Sequence, residues 1–265
     1  MKINTLISAL YLNEDNLIKQ NLSGEVIVIN QDDYNDVKNI DTKKSNITIY
    51  TNTNRGIGKS RNEALKNSNA EICVLADDDE VFLDNYLEII KSAYEKYPYA
   101  DLILFNVKRN DDPDKIKEVH QVNYKNALKY GAVNITFKKE AIIKGEIKFS
   151  ELFGGGTKFG SGEDSKFIID CLKNHLNIVA CNETIATIND VRESTWFKGY
   201  NDKFFFDKGA LFSSFNLKFG YIMGLIVMLK SFKNKGDLTT LSKLIIYTRG
   251  FNYYKKSYLN KEQQL

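Results

Sequence analysis

Three consecutive carboxylates, Asp77, Asp78 and Asp79, stand immediately after the apolar run Ile72-Cys73-Val74-Leu75, with Glu80 behind them. Such a cluster repels itself unless a positive charge sits among its members. Hard carboxylate oxygens suit Mn²⁺ or Mg²⁺, and Mg²⁺ is usually held by one or two carboxylates plus substrate phosphates. The plainer alternative is a solvated acidic turn ahead of the next helix. A second stretch, Asn54-Arg55-Gly56-Ile57-Gly58-Lys59-Ser60-Arg61-Asn62, joins two glycines to three cations before a helix start. Helix N-termini attract anions through free N–H groups and the macrodipole, and an arginine fork suits phosphate. An anion site facing a carboxylate cluster is what a metal–diphosphate ligand requires. The third stretch, Gly160-Ser161-Gly162-Glu163-Asp164, puts an acidic pair at another helix start. Ser161 and Asp164 spell a capping box there, as Ser60 and Glu63 do for the earlier helix.

The elements that must position these residues follow from periodicity. Ile3–Leu10, Glu25–Asn30, Asn46–Thr51, Glu71–Leu75 and Asp101–Val107 read as strands. They alternate with helices over Asn13–Asn21, from about Ser60, and from an Asp84 N-cap to about Lys96. A short continuous apolar run is the mark of a strand buried on both faces, and strand–helix alternation means a mostly parallel sheet covered by helices. Ligands of such sheets bind at the carboxyl ends of the strands, where the Asp77–Asp79 cluster falls. Lys108–Lys129 carries no assignable pattern.

The order strand, NRGIGKSRNEAL, strand, DDD resembles the nucleotide-sugar half of the GT-A glycosyltransferases, specifically the large family 2 of inverting enzymes. The matching positions are Asn54, Gly56, Arg61 and Asn62, then Asp77, Asp78 and Asp79. The resemblance implies that Asp78 and Asp79 hold Mn²⁺ or Mg²⁺ against a donor diphosphate, with Asp79 favoured as direct ligand. It also implies that Asn54, Gly56, Arg61, Asp77 and Asp78 line the donor. The family's Glu-Asp motif maps onto Glu163 and Asp164, which makes Asp164 the general base and places Gly162 and Glu163 at the acceptor. Capping is the competing role for that pair, and the company of the other two stretches favours the base. The only tryptophan, Trp196, follows in Arg192-Glu193-Ser194-Thr195-Trp196-Phe197. It is either a stacking platform for a sugar or a core residue. GGGTKFGSGED and ESTWF resemble relatives that assemble bacterial surface polysaccharides. The chain departs from the family after its second strand, where Asn30-Gln31 stands in place of an acidic pair that contacts the nucleobase. Asn30 and Gln31 are the matching donor candidates, and uridine is the family's commonest base.

Two other functions compete. A sugar-nucleotide pyrophosphorylase also needs carboxylates, metal and a glycine-rich phosphate loop, but would carry that loop after the first strand, where Tyr11-Leu12-Asn13-Glu14 stands. A non-catalytic, glycan-binding GT-A relative is disfavoured by the intact aspartates and kept in view by Asn30-Gln31.

The 265 residues suit one large domain or a domain with an appendage, and 43% hydrophobic content can form a sizeable core. The net charge of +3 is too mild to argue for nucleic acid. Cys73, Cys171 and Cys181 are widely spaced and odd in number, which reads as reduced core cysteines of a cytoplasmic protein. His120 and His175 are far apart, so zinc is not expected. The expected division is a GT-A domain over 1–205, with a nucleotide-sugar half near 1–107 and an acceptor half near 130–205. A basic amphipathic helical region follows over 206–265. Between Ser213 and Lys261 there are nine Lys/Arg against the single acid Asp237, interleaved with aromatics. Basic amphipathic helices lie on anionic membranes, so peripheral attachment beside a glycan or lipid-linked acceptor is expected. A helical appendage with a solvated basic face is the alternative.

Overall fold

In the computed structural model, which describes residues 1–110, 112–188, 199–232 and 238–259, one ten-stranded sheet organises the chain. Its strands are β1 (Ile3–Leu10), β2 (Gly24–Gln31), β3 (Asp36–Asp41), β4 (Ser45–Asn52), β5 (Ile72–Asp77), β6 (Glu80–Phe82), β7 (Leu102–Arg109), β8 (His120–Gln121), β9 (Ile135–Lys138) and β10 (Ile178–Ile188). The spatial order is β3-β4-β2-β1-β5-β9-β7-β10-β6, with β8 paired to β10. Parallel pairing joins β4, β2, β1 and β5, and β7 to β10. Strand β9 runs antiparallel to both β5 and β7, which therefore point the same way. The four strands that run against this direction, β3, β6, β8 and β9, escaped the alternating pattern, and so did β10, the parallel partner of β7. All five expected strands are present within two residues at each end.

Helices α1 (Glu14–Lys19), α2 (Ile57–Asn67), α3 (Tyr86–Lys96), α4 (Lys139–Lys144), α5 (Glu163–Lys173), α6 (Asp202–Ser214), α7 (Gly220–Phe232) and α8 (Thr240–Tyr254) complete the fold. Strand residues alternate between two apolar layers: Cys73 and Leu75 of β5 join one with α2, α5 and α6, while Ile72, Val74 and Ala76 join the other with α1 and α3. Burial on both faces is why these strands read as continuous apolar runs. The first layer also takes in Phe212, Met228, Tyr247 and Tyr254 of α6, α7 and α8. All three cysteines are buried and free.

Helix starts differ from the sequence expectations. Gly56 caps α2, and Ser60 lies inside that helix with its hydroxyl donating to Ser8 Oγ at 2.9 Å. Glu63 accepts from Asn52 Nδ2 instead of closing a box. Gly162 caps α5; Ser161 accepts from Lys208 Nζ at 3.2 Å, and Asp164 Oδ1 accepts from the Ser165 amide. Asn85 caps α3, while Asp84 pairs with Lys44. Ser60, Ser161 and Asp84 each have a partner distant in sequence in place of the local cap, while Asp164 turns to the amide of its neighbour.

In the C-terminal region α6, α7 and α8 pack on one another. Gly250 lets α8 cross α6 closely: a Cβ there would stand 2.0 Å from the Phe206 carbonyl oxygen. Tyr221 on α7 hydrogen-bonds Thr248 and meets Phe251 edge-on, both on α8. Of the aromatics in this region, Tyr221, Phe251 and Tyr254 serve its internal packing, while Phe219 and Tyr253 stay exposed.

Candidate active site

Register brings the predicted donor residues to one edge of the sheet. Pairings of Ser8 with Asp77, Leu10 with Gln31, and Gln31 with Asn52 align the carboxyl ends of β5, β1, β2 and β4. Helix α2 enters from the same edge. Gly58 sits where its Cβ would fall 2.1 Å from the Ser150 carbonyl oxygen, so only glycine lets α2 approach the segment at Ser150. Asn62 clamps that same segment through two hydrogen bonds to the Phe149 backbone.

Arg61 is the centre of the site. It is 3% exposed, and its two terminal nitrogens reach Asp77 Oδ1 and Glu163 Oε1, each at 2.9 Å. The guanidinium, expected as a phosphate ligand, forms ion pairs with two carboxylates, one ending β5 and one opening α5. Burial works against its charge, and Asp77, Glu163 and Asp164 together outweigh that effect and raise its pKa. Glu163, placed at the acceptor by the resemblance, likewise spends its carboxylate on Arg61 and is 13% exposed.

Glu80 is no member of a solvated acidic cluster. It is wholly buried, and its Oε1 accepts from the Asp77 amide at 2.7 Å. Burial, then repulsion from Asp77, pushes its pKa well above the usual carboxylate range. Gln20 donates to the Asp77 carbonyl at 2.9 Å, so the end of β5 is gripped on its amide, its carbonyl and its side chain. Asp78 and Asp79 form the half-buried turn that follows.

Among the described residues no group of three or more His, Cys, Asp or Glu is assembled for a metal. Two half-exposed hard-oxygen carboxylates nevertheless match what Mn²⁺ or Mg²⁺ takes from a protein when a diphosphate supplies further oxygens. Asp78 and Asp79 therefore fit that group.

Asp164 follows Glu163 in the first turn of α5, half-buried. Burial, then the neighbouring Glu163 charge, lifts its pKa to about 6; the Ser165 amide, Arg61 and Lys208 pull the other way. Lys208, on α6, was not expected in the site. Burial lowers its pKa against the pull of Asp164, Glu163 and Asp207. Nothing in the spacing of Lys208 and Asp164 foretells the meeting, since it depends on α6 packing beside α5.

Of the remaining candidates, Asn54 is exposed in the loop before α2, and Gly56 donates its amide to Gln31 Oε1 at 2.7 Å. Asn30 Oδ1 accepts from the Leu12 amide at 2.9 Å. Asn30 and Gln31 are both buried, and they tie the loops around the strand ends to one another. Asp33, Arg55 and Tyr11 form the exposed rim beyond them, with a 2.5 Å Arg55–Asp33 ion pair. The glycine-rich segment after Phe153 is an ordered turn: Phe153 and Phe159 stack at 4.9 Å, and Gly155 accepts from the Ile57 amide. Gly162 is buried at the start of α5. Trp196 lies outside the described residues.

The family model for glycosyl transferase family 2 matches residues 14–156, more than half of the chain. The chain belongs to glycosyl transferase family 2. Solved structures agree on the fold of this family 2 glycosyltransferase. It aligns with S. aureus TarS 1-349 at a TM-score of 0.57 and 16% identity, covering 100% of this chain and 75% of that one. TarS 1-349 in complex with UDP-GlcNAc aligns at 0.58 and 16% identity, covering 100% and 78%. The UDP complex aligns at 0.58 and 15% identity, covering 98% and 73%. At such identities the likeness speaks for the fold, which is GT-A. No curated protein matches the chain.

Proposed function

We propose that this family 2 glycosyltransferase moves a sugar, with inversion, from a nucleotide-diphosphate donor, UDP-linked in our reading, to a hydroxyl of a glycan or lipid-linked acceptor. The observation that carries the reading is the Arg61 bridge, which holds the aspartate end of β5 and the Glu163–Asp164 start of α5 around one buried cation. Asp77, which leads into the carboxylates suited to a metal–diphosphate, and Asp164, with its raised pKa, both act on that one guanidinium. The UDP and UDP-GlcNAc complexes of TarS support a uridine diphosphate donor.

In this reading Asp164 accepts the acceptor's hydroxyl proton as that oxygen bonds to the anomeric carbon. The bond from that carbon to the diphosphate oxygen breaks, and the nucleoside diphosphate leaves with the electron pair. Mn²⁺ or Mg²⁺ on Asp78 and Asp79 would neutralise charge on that leaving group. Asn54 and the Gly56 turn border the donor, with Asp77 behind them; Asn30 and Gln31 shape the floor under the nucleobase. Gly162 and Trp196 are assigned to the acceptor side. A cytoplasmic enzyme of surface-polysaccharide assembly, attached peripherally to the membrane through its C-terminal region, accommodates all these assignments.

The test is a thermal-shift panel of UDP, GDP, CMP and dTDP, each with and without Mn²⁺. UDP with Mn²⁺ should raise the melting temperature by several degrees, and Asp79→Ala should remove the metal-dependent part. No shift with any nucleotide would return the three aspartates to an acidic turn in a non-catalytic fold.

A further inference from the structure

Helix α7 has an apolar face that the rest of the described chain leaves uncovered. Its sequence from Tyr221 to Leu229 contains no charged residue. One side is packed: Gly220 and Gly224 lie against Phe212, and Met228 is buried. At 3.6 residues per turn, Ile222, Ile226 and Leu229 fall roughly opposite that side. They are 61%, 62% and 55% exposed, and Phe219 at the helix start is 47% exposed. A helix apolar all round is ordinarily buried on every side or in contact with lipid.

We infer that this face of α7 is a docking surface for an anionic lipid bilayer, with the helix lying in the interface plane. The choice of occupant rests on charge and length. Exposed Lys218 precedes the helix, and Lys230, Lys233 and Lys235 follow the apolar run in sequence, against the single acid Asp237. No described helix is long and apolar enough to cross a membrane. A short apolar run flanked in sequence by lysines is the pattern of a helix that enters only the headgroup and upper acyl region.

The surface differs from the one the sequence suggested. There the whole basic, aromatic tail was the membrane-binding unit. In the fold Tyr247 and Tyr254 are interior, and Tyr221 and Phe251 pack against each other, so the aliphatic stripe of α7 takes that role. The inference deepens the lipid-linked acceptor reading by naming the surface that would bring the enzyme to such an acceptor.

Sedimentation of the full chain with phosphatidylcholine vesicles, with and without phosphatidylglycerol, tests it. The wild type should pellet with the anionic vesicles only, and added salt should weaken the binding. Ile222→Glu/Ile226→Glu should lower the partition by about tenfold or more. Both substitutions are at exposed positions, so the variant should keep the wild-type melting temperature and its nucleotide-induced shift. Lys218→Glu, a milder change, should weaken binding to anionic vesicles alone. Wild type left in the supernatant, or a double variant that pellets as well as wild type, overturns the inference. So does a wild-type dimer that the double variant disperses in size-exclusion chromatography, which would make the face a contact between copies of the chain. The donor reading stands or falls separately, because the nucleotide shift is measured without vesicles.

Discussion

At the scale of single residues, Asp164 is the group whose chemistry is most exposed to test. Its pKa of about 6 reflects burial and Glu163, and a base must be unprotonated to work. The rate kcat/KM should therefore fall about tenfold per pH unit below about pH 6. Asp164→Asn should remove that limb and lower turnover by about 100-fold or more while leaving UDP affinity nearly intact. The sign for stability is the reverse of the usual aspartate. Because the folded pKa is raised, this group's contribution favours folding below the unfolded value near 4 and is lost as pH rises through about 6. Lys208 lowers the same pKa, so Lys208→Met should move the acidic limb of the pH profile upward. An unmoved limb would show that Lys208 is too distant from the titrating carboxylate to matter.

Between elements, the Arg61 bridge joins β5, α2 and α5, which come from chain segments up to 102 residues apart. Removing one partner of a buried charge network leaves the others uncompensated, which typically costs about 3–5 kcal/mol. Arg61→Ala should destabilise the protein on that scale in chemical denaturation, and Arg61→Lys should recover part of it. Loss of activity without loss of stability would instead mean that Arg61 touches the donor directly. That Arg61 itself links the three elements was not legible in the sequence. NRGIGKSRN looks like an anion cradle because its cations precede a helix start, but Arg61 sits one turn in and faces the sheet edge.

On the scale of the whole molecule, one apolar layer runs from Leu6 and Leu75 through Phe167 to Phe212, Met228 and Tyr247. Elements that share a continuous core unfold together in small proteins. A single calorimetric transition is expected, and truncation before α8 should lower the melting temperature rather than release an intact sheet. Two separated transitions would show that the C-terminal helices fold as their own unit.

Much of this protein is legible in its residues alone. Apolar runs gave away strands buried on both faces such as β5, since burial on two sides leaves few polar positions to blur the pattern. The three aspartates after β5 and the acidic pair opening α5 carried the family resemblance, because both stretches are local and their residue types narrow the chemistry. What tertiary structure decided was the destination of side chains whose partners are far away in sequence. Ser60, Ser161 and Asp84 could each have capped a helix, and each found a better-placed group across the fold. Glu80 looked like a fourth surface carboxylate, but the tight turn from β5 into β6 folds it inward onto the Asp77 amide. Arg61 had the composition of a phosphate ligand, and the fold gives it two carboxylate partners, Asp77 and Glu163, from distant segments. The tail had the charge and aromatics of a membrane helix, yet close helix packing drew Tyr247 and Tyr254 inside and left the aliphatic side of α7 in the open. Local pattern determines which elements form; only packing determines which of several chemically eligible partners each polar side chain meets.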